Sequence, residues 1–125
     1  MKRKLLIIDD EPSIRLILEH YFSGDYDVVA TSNGQEAVDW LQQGHLADAI
    51  VADYTMPLVN GLDFIKYLRS SPLHKETPLI MLSGRDETSN KINCLRHGAD
   101  DYLVKPFNPE ELDIRLKNIL KRVKV

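Results

Sequence analysis

Five side chains define the chemistry this chain could perform. Asp9 and Asp10 follow the apolar run Leu5-Leu6-Ile7-Ile8, and Asp53 follows Ala49-Ile50-Val51-Ala52. Ser83 follows Leu79-Ile80-Met81-Leu82, and Lys105 follows Tyr102-Leu103-Val104. If these runs are neighbouring parallel strands, their polar ends share one edge. Three carboxylates gathered there repel, so at least one pKa must rise unless a cation binds. Lys105 offsets one charge; a hard divalent ion offsets two. Mg²⁺ fits best, with Mn²⁺ as a substitute, because it uses one or two carboxylates and leaves room for a phosphoryl oxygen. An ionised Asp53 could act as a nucleophile and form an acyl phosphate. The ion, the Lys105 ammonium, the Ser83 hydroxyl and backbone N–H groups would then neutralise the phosphoryl oxygens.

The surrounding pattern supplies the elements that must position these groups. Short unbroken apolar runs read as strands buried on both faces. Val28-Val29-Ala30 is a further, shorter strand. Between the strands lie helical patterns. Pro12 opens the first, whose inner face is predicted as Ile14, Ile17, Leu18, Tyr21 and Phe22. Asn33 and Glu36 open the second, with Ala37, Val38 and Leu41 inward and Gly44 as its stop. Phe64, Ile65 and Leu68 mark the third, which ends before Pro72. The fourth starts near Asp86 to Ser89, with Ile92, Leu95 and Ala99 inward and Gly98 ending it. Asn108-Pro109-Glu110-Glu111 starts the fifth, whose stripe is Leu112, Leu116, Ile119, Leu120 and Val123. Five strand–helix units in alternation predict an α/β doubly wound (βα)5 three-layer sandwich. Its parallel five-stranded sheet would have the flavodoxin-like order 2-1-3-4-5, with the switch point beside the acidic pair.

With 125 residues, this is a single domain spanning 1–125. A 43% hydrophobic and 28% charged composition argues for a globular fold. A net charge of −3 gives no reason to expect direct nucleic-acid binding by this chain. The apolar run after Met1-Lys2-Arg3-Lys4 is too short for a signal peptide or a membrane span, so a cytoplasmic protein is expected, with no membrane contact. Cys94 is the only cysteine and reads as an apolar filler on a helix; Trp40 reads as a packing residue. His20, His45, His74 and His97 all lie away from strand ends, which argues against a histidine phosphocarrier or a zinc site.

Any one of these acids alone is more often a cap or a turn residue. Their coincidence at four strand ends is harder to obtain by chance. The chain resembles the receiver domain of two-component response regulators. The resemblance rests on Ile8-Asp9-Asp10-Glu11-Pro12, Asp53-Tyr54-Thr55-Met56-Pro57 with Asn60-Gly61, Met81-Leu82-Ser83-Gly84, and Gly98-Ala99-Asp100-Asp101-Tyr102-Leu103-Val104-Lys105-Pro106-Phe107. It implies that Asp53 accepts a phosphoryl group from a sensor histidine kinase or phosphotransfer protein. It further implies that Asp10, Asp53 and the Thr55 carbonyl bind Mg²⁺, with Asp9 helping through water, and that Lys105, placed by a cis bond to Pro106, pairs with the phosphoryl group. Ser83 would turn inward on phosphorylation and Tyr102 would follow. Thr55 and Arg85 would tune access of water, and Gly84 stands where the family usually has alanine.

The resemblance implies a signalling switch, with at most Mg²⁺-dependent self-phosphorylation and autodephosphorylation. Its moving surface would be helix four, strand five and helix five. Lys91, Asp100, Asp101, Glu111, Arg115 and Lys117 there resemble the homodimer face of receivers joined to winged-helix DNA-binding domains. The output is expected to be transcription-linked; the alternative is a single-domain regulator acting only through protein partners. An aspartyl-phosphate phosphatase of haloacid-dehalogenase type wants a second Asp where Thr55 stands, and a flavin binder wants a Ser/Thr/Gly-rich loop where three acids follow strand one.

Overall fold

A strand without polar alternation must be covered on both faces, and the fold does this with two layers of helices around one sheet. The computed structural model describes residues 2–84 and 88–122. The strands are β1 (Arg3–Ile8), β2 (Tyr26–Thr31), β3 (Ala49–Asp53), β4 (Leu79–Ser83) and β5 (Asp101–Val104). They alternate with α1 (Pro12–Phe22), α2 (Gly34–Gln42), α3 (Gly61–Ser70), α4 (Thr88–His97) and α5 (Pro109–Arg122). Pairing is parallel throughout, in the order β2-β1-β3-β4-β5. The expected order is therefore the observed one.

Strand alternation divides the core in two. Leu6, Ile8, Ile50, Ala52, Leu79 and Met81 pack beneath α2, α3 and α4. Leu5, Ile7, Ala49, Val51, Ile80 and Leu82 pack against α1 and α5. Every residue of β3 and β4 is buried, whereas edge strand β2 is largely half-exposed. The register makes the carboxyl ends nearly flush: Ile8 pairs with Ala52, Asp53 with Leu82 and Ser83 with Val104. Asp9, one step past Ile8, thus stands level with Asp53.

Local chemistry fixes the helix starts and stops. The Asn33 side chain accepts from the Glu36 N–H at 2.8 Å, and Glu36 reaches back to the Ser32 N–H at 2.6 Å. Asn60 caps α3 through the Asp63 N–H at 2.9 Å, and Asn108 accepts from the Glu110 N–H at 2.8 Å. Gly44 and Gly98 follow α2 and α4 with φ of 95° and 120°, conformations that glycine adopts without strain.

Two predicted helix faces need correction. On α1 only Leu18 and Phe22 are buried; Ile17 and Tyr21 are 56% and 45% exposed. Leu18 and Phe22 point at the sheet and half-buried Ile14 packs against the same core, while Ile17 faces the groove that it lines with Ile14, Pro106, Phe107 and Pro109. On α4 the inward residue is Cys94, at 0% exposure, while Ile92 and Leu95 are 45% and 41% exposed. Successive helix positions are turned by about 100°, so directing Cys94 inward turns Leu95 by about 100° and Ile92 by about 200° away from the core. Ala99 is buried as expected. Trp40 is half-buried and stacks on His45 with ring centroids 4.7 Å apart. Asp86 and Val123 lie outside the described residues.

Candidate functional site

β3 delivers Asp53 to the sheet edge from a fully buried strand, leaving the residue only 4% exposed. β1 delivers Asp9 beside it, at 0% exposure, and Asp10 on the open side. One ligand oxygen from each of Asp9, Asp10 and Asp53 can be chosen so that all lie within 4.8 Å of one another. Lys105, just past β5, places its Nζ 3.0 Å from Asp9 Oδ2 and 3.3 Å from Asp53 Oδ2. The Lys105–Pro106 peptide bond is cis, as the resemblance implied. The Lys105 N–H donates to the Ser83 carbonyl at 2.6 Å, tying the ends of β4 and β5 together. Asp9 is held further by the Glu11 N–H on Oδ1 at 2.9 Å and by the Arg15 guanidinium on its carbonyl at 2.7 Å.

Burial pushes the Asp53 carboxyl up to about 6; Lys105 opposes this, Asp9 adds to it, and the Thr55 N–H bond to the carboxylate opposes it again. Burial also works against the Lys105 ammonium, but its bonds to Asp9 and Asp53 outweigh that and raise its pKa. The two shifts are reconciled by counting partners. Lys105 has two carboxylates to itself, whereas Asp53 shares one ammonium with Asp9. The site therefore has an excess of negative charge, carried by oxygen donors, which is the environment a hard divalent cation takes. Asp9, Asp10 and Asp53 form an acidic cluster able to bind a metal ion.

Above these groups opens a pocket of about 520 Å³ lined by Asp10, Glu11, Asp53, Thr55, Ser83, Gly84, Asn90 and Lys105. The Ser83 residue is 3% exposed, and Tyr102 on β5 is 5% exposed. A Cβ added at Gly84 would meet nothing within 4 Å, so the alanine usual in the family would also fit. Arg85 lies outside the described residues. Glu11, Arg15 and Asn90 were not singled out from the sequence as site residues. Asn90 carries no signal of its own; it reaches the pocket because the first turn of α4 overhangs the sheet edge. Its Oδ1 lies 3.5 Å from the Tyr54 hydroxyl. Beneath the loop after β3, Gly61 has no room for a side chain: an added Cβ would stand 2.6 Å from Tyr54 Cα.

The charged residues predicted for the helix four–strand five–helix five face split into groups. Arg115 pairs with Asp101 at 2.9 Å and with Glu111 at 3.0 Å. Asp100 pairs with Arg69 at 3.2 Å. Lys117 turns to Asp113 at 3.0 Å and Asp25 at 3.9 Å, and Lys91 is exposed on α4.

Comparison with known proteins fits this geometry. Residues 5–117 match the response regulator receiver domain family. The chain is 42% identical over 98% of its length to a probable transcriptional regulator, ycf27, of Porphyridium aerugineum, of which it covers 50%. It thus spans about half the length of such curated relatives. It superposes on a putative response regulator from Chloroflexus aurantiacus with a TM-score of 0.91 and 38% identity, covering 98% of this chain and 100% of that one. The receiver domain of a Pseudomonas aeruginosa sensor histidine kinase, described with a magnesium ion in its active site cleft, superposes with a TM-score of 0.87 and 26% identity, covering 97% and 99%. The chain belongs to the response regulator receiver domain family. That family consists of signalling receivers rather than enzymes in the ordinary sense, and no helix among the described residues is long and apolar enough to cross a membrane.

Proposed function

We propose that Asp53 accepts a phosphoryl group from a sensor histidine kinase or phosphotransfer protein, and that the acyl phosphate resets the face made by α4, β5 and α5. The observation that carries this is the buried Asp53 carboxylate, 3.3 Å from the Lys105 ammonium on the floor of an open acidic pocket. An Asp53 oxygen bonds to phosphorus while the donor's phosphorus–nitrogen bond breaks, the imidazole leaving with the electron pair. Lys105 moves from Asp53 to a phosphoryl oxygen, the Ser83 hydroxyl turns inward to another, and Tyr102 follows. Thr55 and Gly84 line the pocket through which hydrolytic water arrives, and Arg85, outside the described residues, is assigned with them the role of tuning that access. The donor set suits Mg²⁺ or Mn²⁺ held by Asp10, Asp53 and the Thr55 carbonyl, with Asp9 acting through water. Bound there, the ion supplies charge neutralisation for the phosphoryl oxygens.

Incubation with acetyl phosphate and Mg²⁺, read by intact mass, tests the chemistry. The chain should gain one phosphoryl mass, and Asp53→Asn should gain none. An equal gain in that variant would falsify the assignment.

The same face is proposed to form a homodimer and to regulate a transcription-linked effector. Exposed Ile92, Leu95 and Ile114 accompany Lys91, Asp100, Asp101, Glu111 and Arg115 on the elements flanking edge strand β5. Control of a protein partner alone would use this face too.

A further inference from the structure

Arg69, at the C-terminal end of α3, makes a set of bonds that the acid site does not require. Its Nε donates to the Gly98 carbonyl at 2.9 Å. Its Nη1 donates to the carbonyls of Thr77 at 2.7 Å, Lys75 at 3.1 Å and His74 at 3.5 Å. Its Nη2 donates to Asp100 Oδ2 at 3.2 Å. One guanidinium thus joins the end of α3, the α3–β4 loop and the α4–β5 corner. Asp100 binds the start of β4 twice, accepting from the Leu79 N–H at 2.8 Å and donating its own N–H to the Leu79 carbonyl at 2.8 Å. Gly98 leaves space for the guanidinium: a Cβ there would stand 2.8 Å from Arg69 Cγ and 2.9 Å from Nε.

The rest of α4 is held lightly. Between Asn90 and His97 only Cys94 is buried. A helix with so little buried surface opens and shifts at low cost. Its first turn overhangs the acid pocket through Asn90. Its last turn is closed by the Gly98 and Ala99 N–H groups, bonded to the Leu95 and Cys94 carbonyls at 3.2 and 2.9 Å, and by Arg69. The two ends of one helix therefore have opposite mechanical character.

We propose that Arg69 is the positioning residue of the switch, anchoring the C-terminal end of α4 and the α4–β5 corner so that rearrangement at the acid pocket swings the N-terminal half of α4 about a fixed end. This rests on the receiver reading of the site. It turns a loosely packed helix into a lever, since a hinge needs one end that absorbs no displacement. Planar five-donor geometry suits the task; a lysine would supply the charge without the fork.

Hydrogen exchange of the full chain, with and without acetyl phosphate and Mg²⁺, tests the idea, with intact mass recorded on the same samples. In the unsubstituted chain, phosphorylation should change exchange over 88–93 while 94–101 keeps its protection. Arg69→Gln should accelerate exchange over 94–101 by about tenfold or more without any phosphoryl group, because several charge-assisted bonds are lost. Arg69→Lys should restore only part of that protection. Equal change over both halves in the unsubstituted chain overturns the anchor, as does an Arg69→Gln chain that folds with 94–101 still protected. A mass gain alongside either result leaves the phosphoacceptor reading intact; no mass gain at all overturns both.

Discussion

Asp53 holds its proton at about 6 because burial and Asp9 outweigh the help of Lys105. Between about pH 4 and 6 the unfolded chain has released this proton and the folded chain has not. Stability therefore falls as pH rises through that window, and the penalty is complete above it. The cost is roughly 1–3 kcal/mol at neutral pH. Asp53→Asn should raise the thermal unfolding midpoint of the metal-free chain at neutral pH, with the gain vanishing near about pH 4. Mg²⁺ should stabilise the unsubstituted chain more than the variant. An unchanged or lower midpoint for the variant at neutral pH contradicts this account. Asp53, Asp9, Ser83 and Lys105 were legible in the sequence because each interrupts or ends an apolar run. Arg69 and Asn90 were not, because their partners depend on how α3 and α4 lie across the sheet, which a one-dimensional pattern does not encode.

The helices show where periodicity stops being informative. It identified each helix but counted Ile17 and Tyr21 on α1, and Ile92 and Leu95 on α4, as inward although they are exposed, since an apolar side chain can serve either the core or an exposed face. Leu18→Ala should cost about 2–5 kcal/mol, whereas Ile17→Ala should stay within about 0.5 kcal/mol, as chemical denaturation would show. Ile17 also lines an apolar groove with Ile14, Pro106, Phe107 and Pro109 that shares Lys105 with the acid site. Ile17→Glu is therefore expected to slow transfer from a protein donor while leaving labelling by acetyl phosphate unchanged. Equal slowing with both donors would show damage to the site itself. The loop after β3 is less forgiving. Gly61→Ala must push against the Tyr54 backbone and should destabilise by about 1–3 kcal/mol. The caps at Asn33 and Asn108 were the most legible features of all, because each acts within three residues of itself.

For the molecule as a whole, the exposed Ile92, Leu95 and Ile114 are the apolar complement to the charged face read from the sequence. Beryllofluoride with Mg²⁺ should double the mass seen by light scattering, and Leu95→Glu should prevent it. An unsubstituted chain that stays monomeric at high concentration counts against the dimer. The ion pairs already made on this face say what kind of dimer it would be. Arg115 is engaged with Asp101 and Glu111 inside one chain. A carboxylate arriving from a second copy at Arg115 would replace one of these, so association there swaps charged partners rather than adding one. Such an assembly draws its affinity from oily contact, and its dissociation constant should stay nearly flat across low to moderate salt.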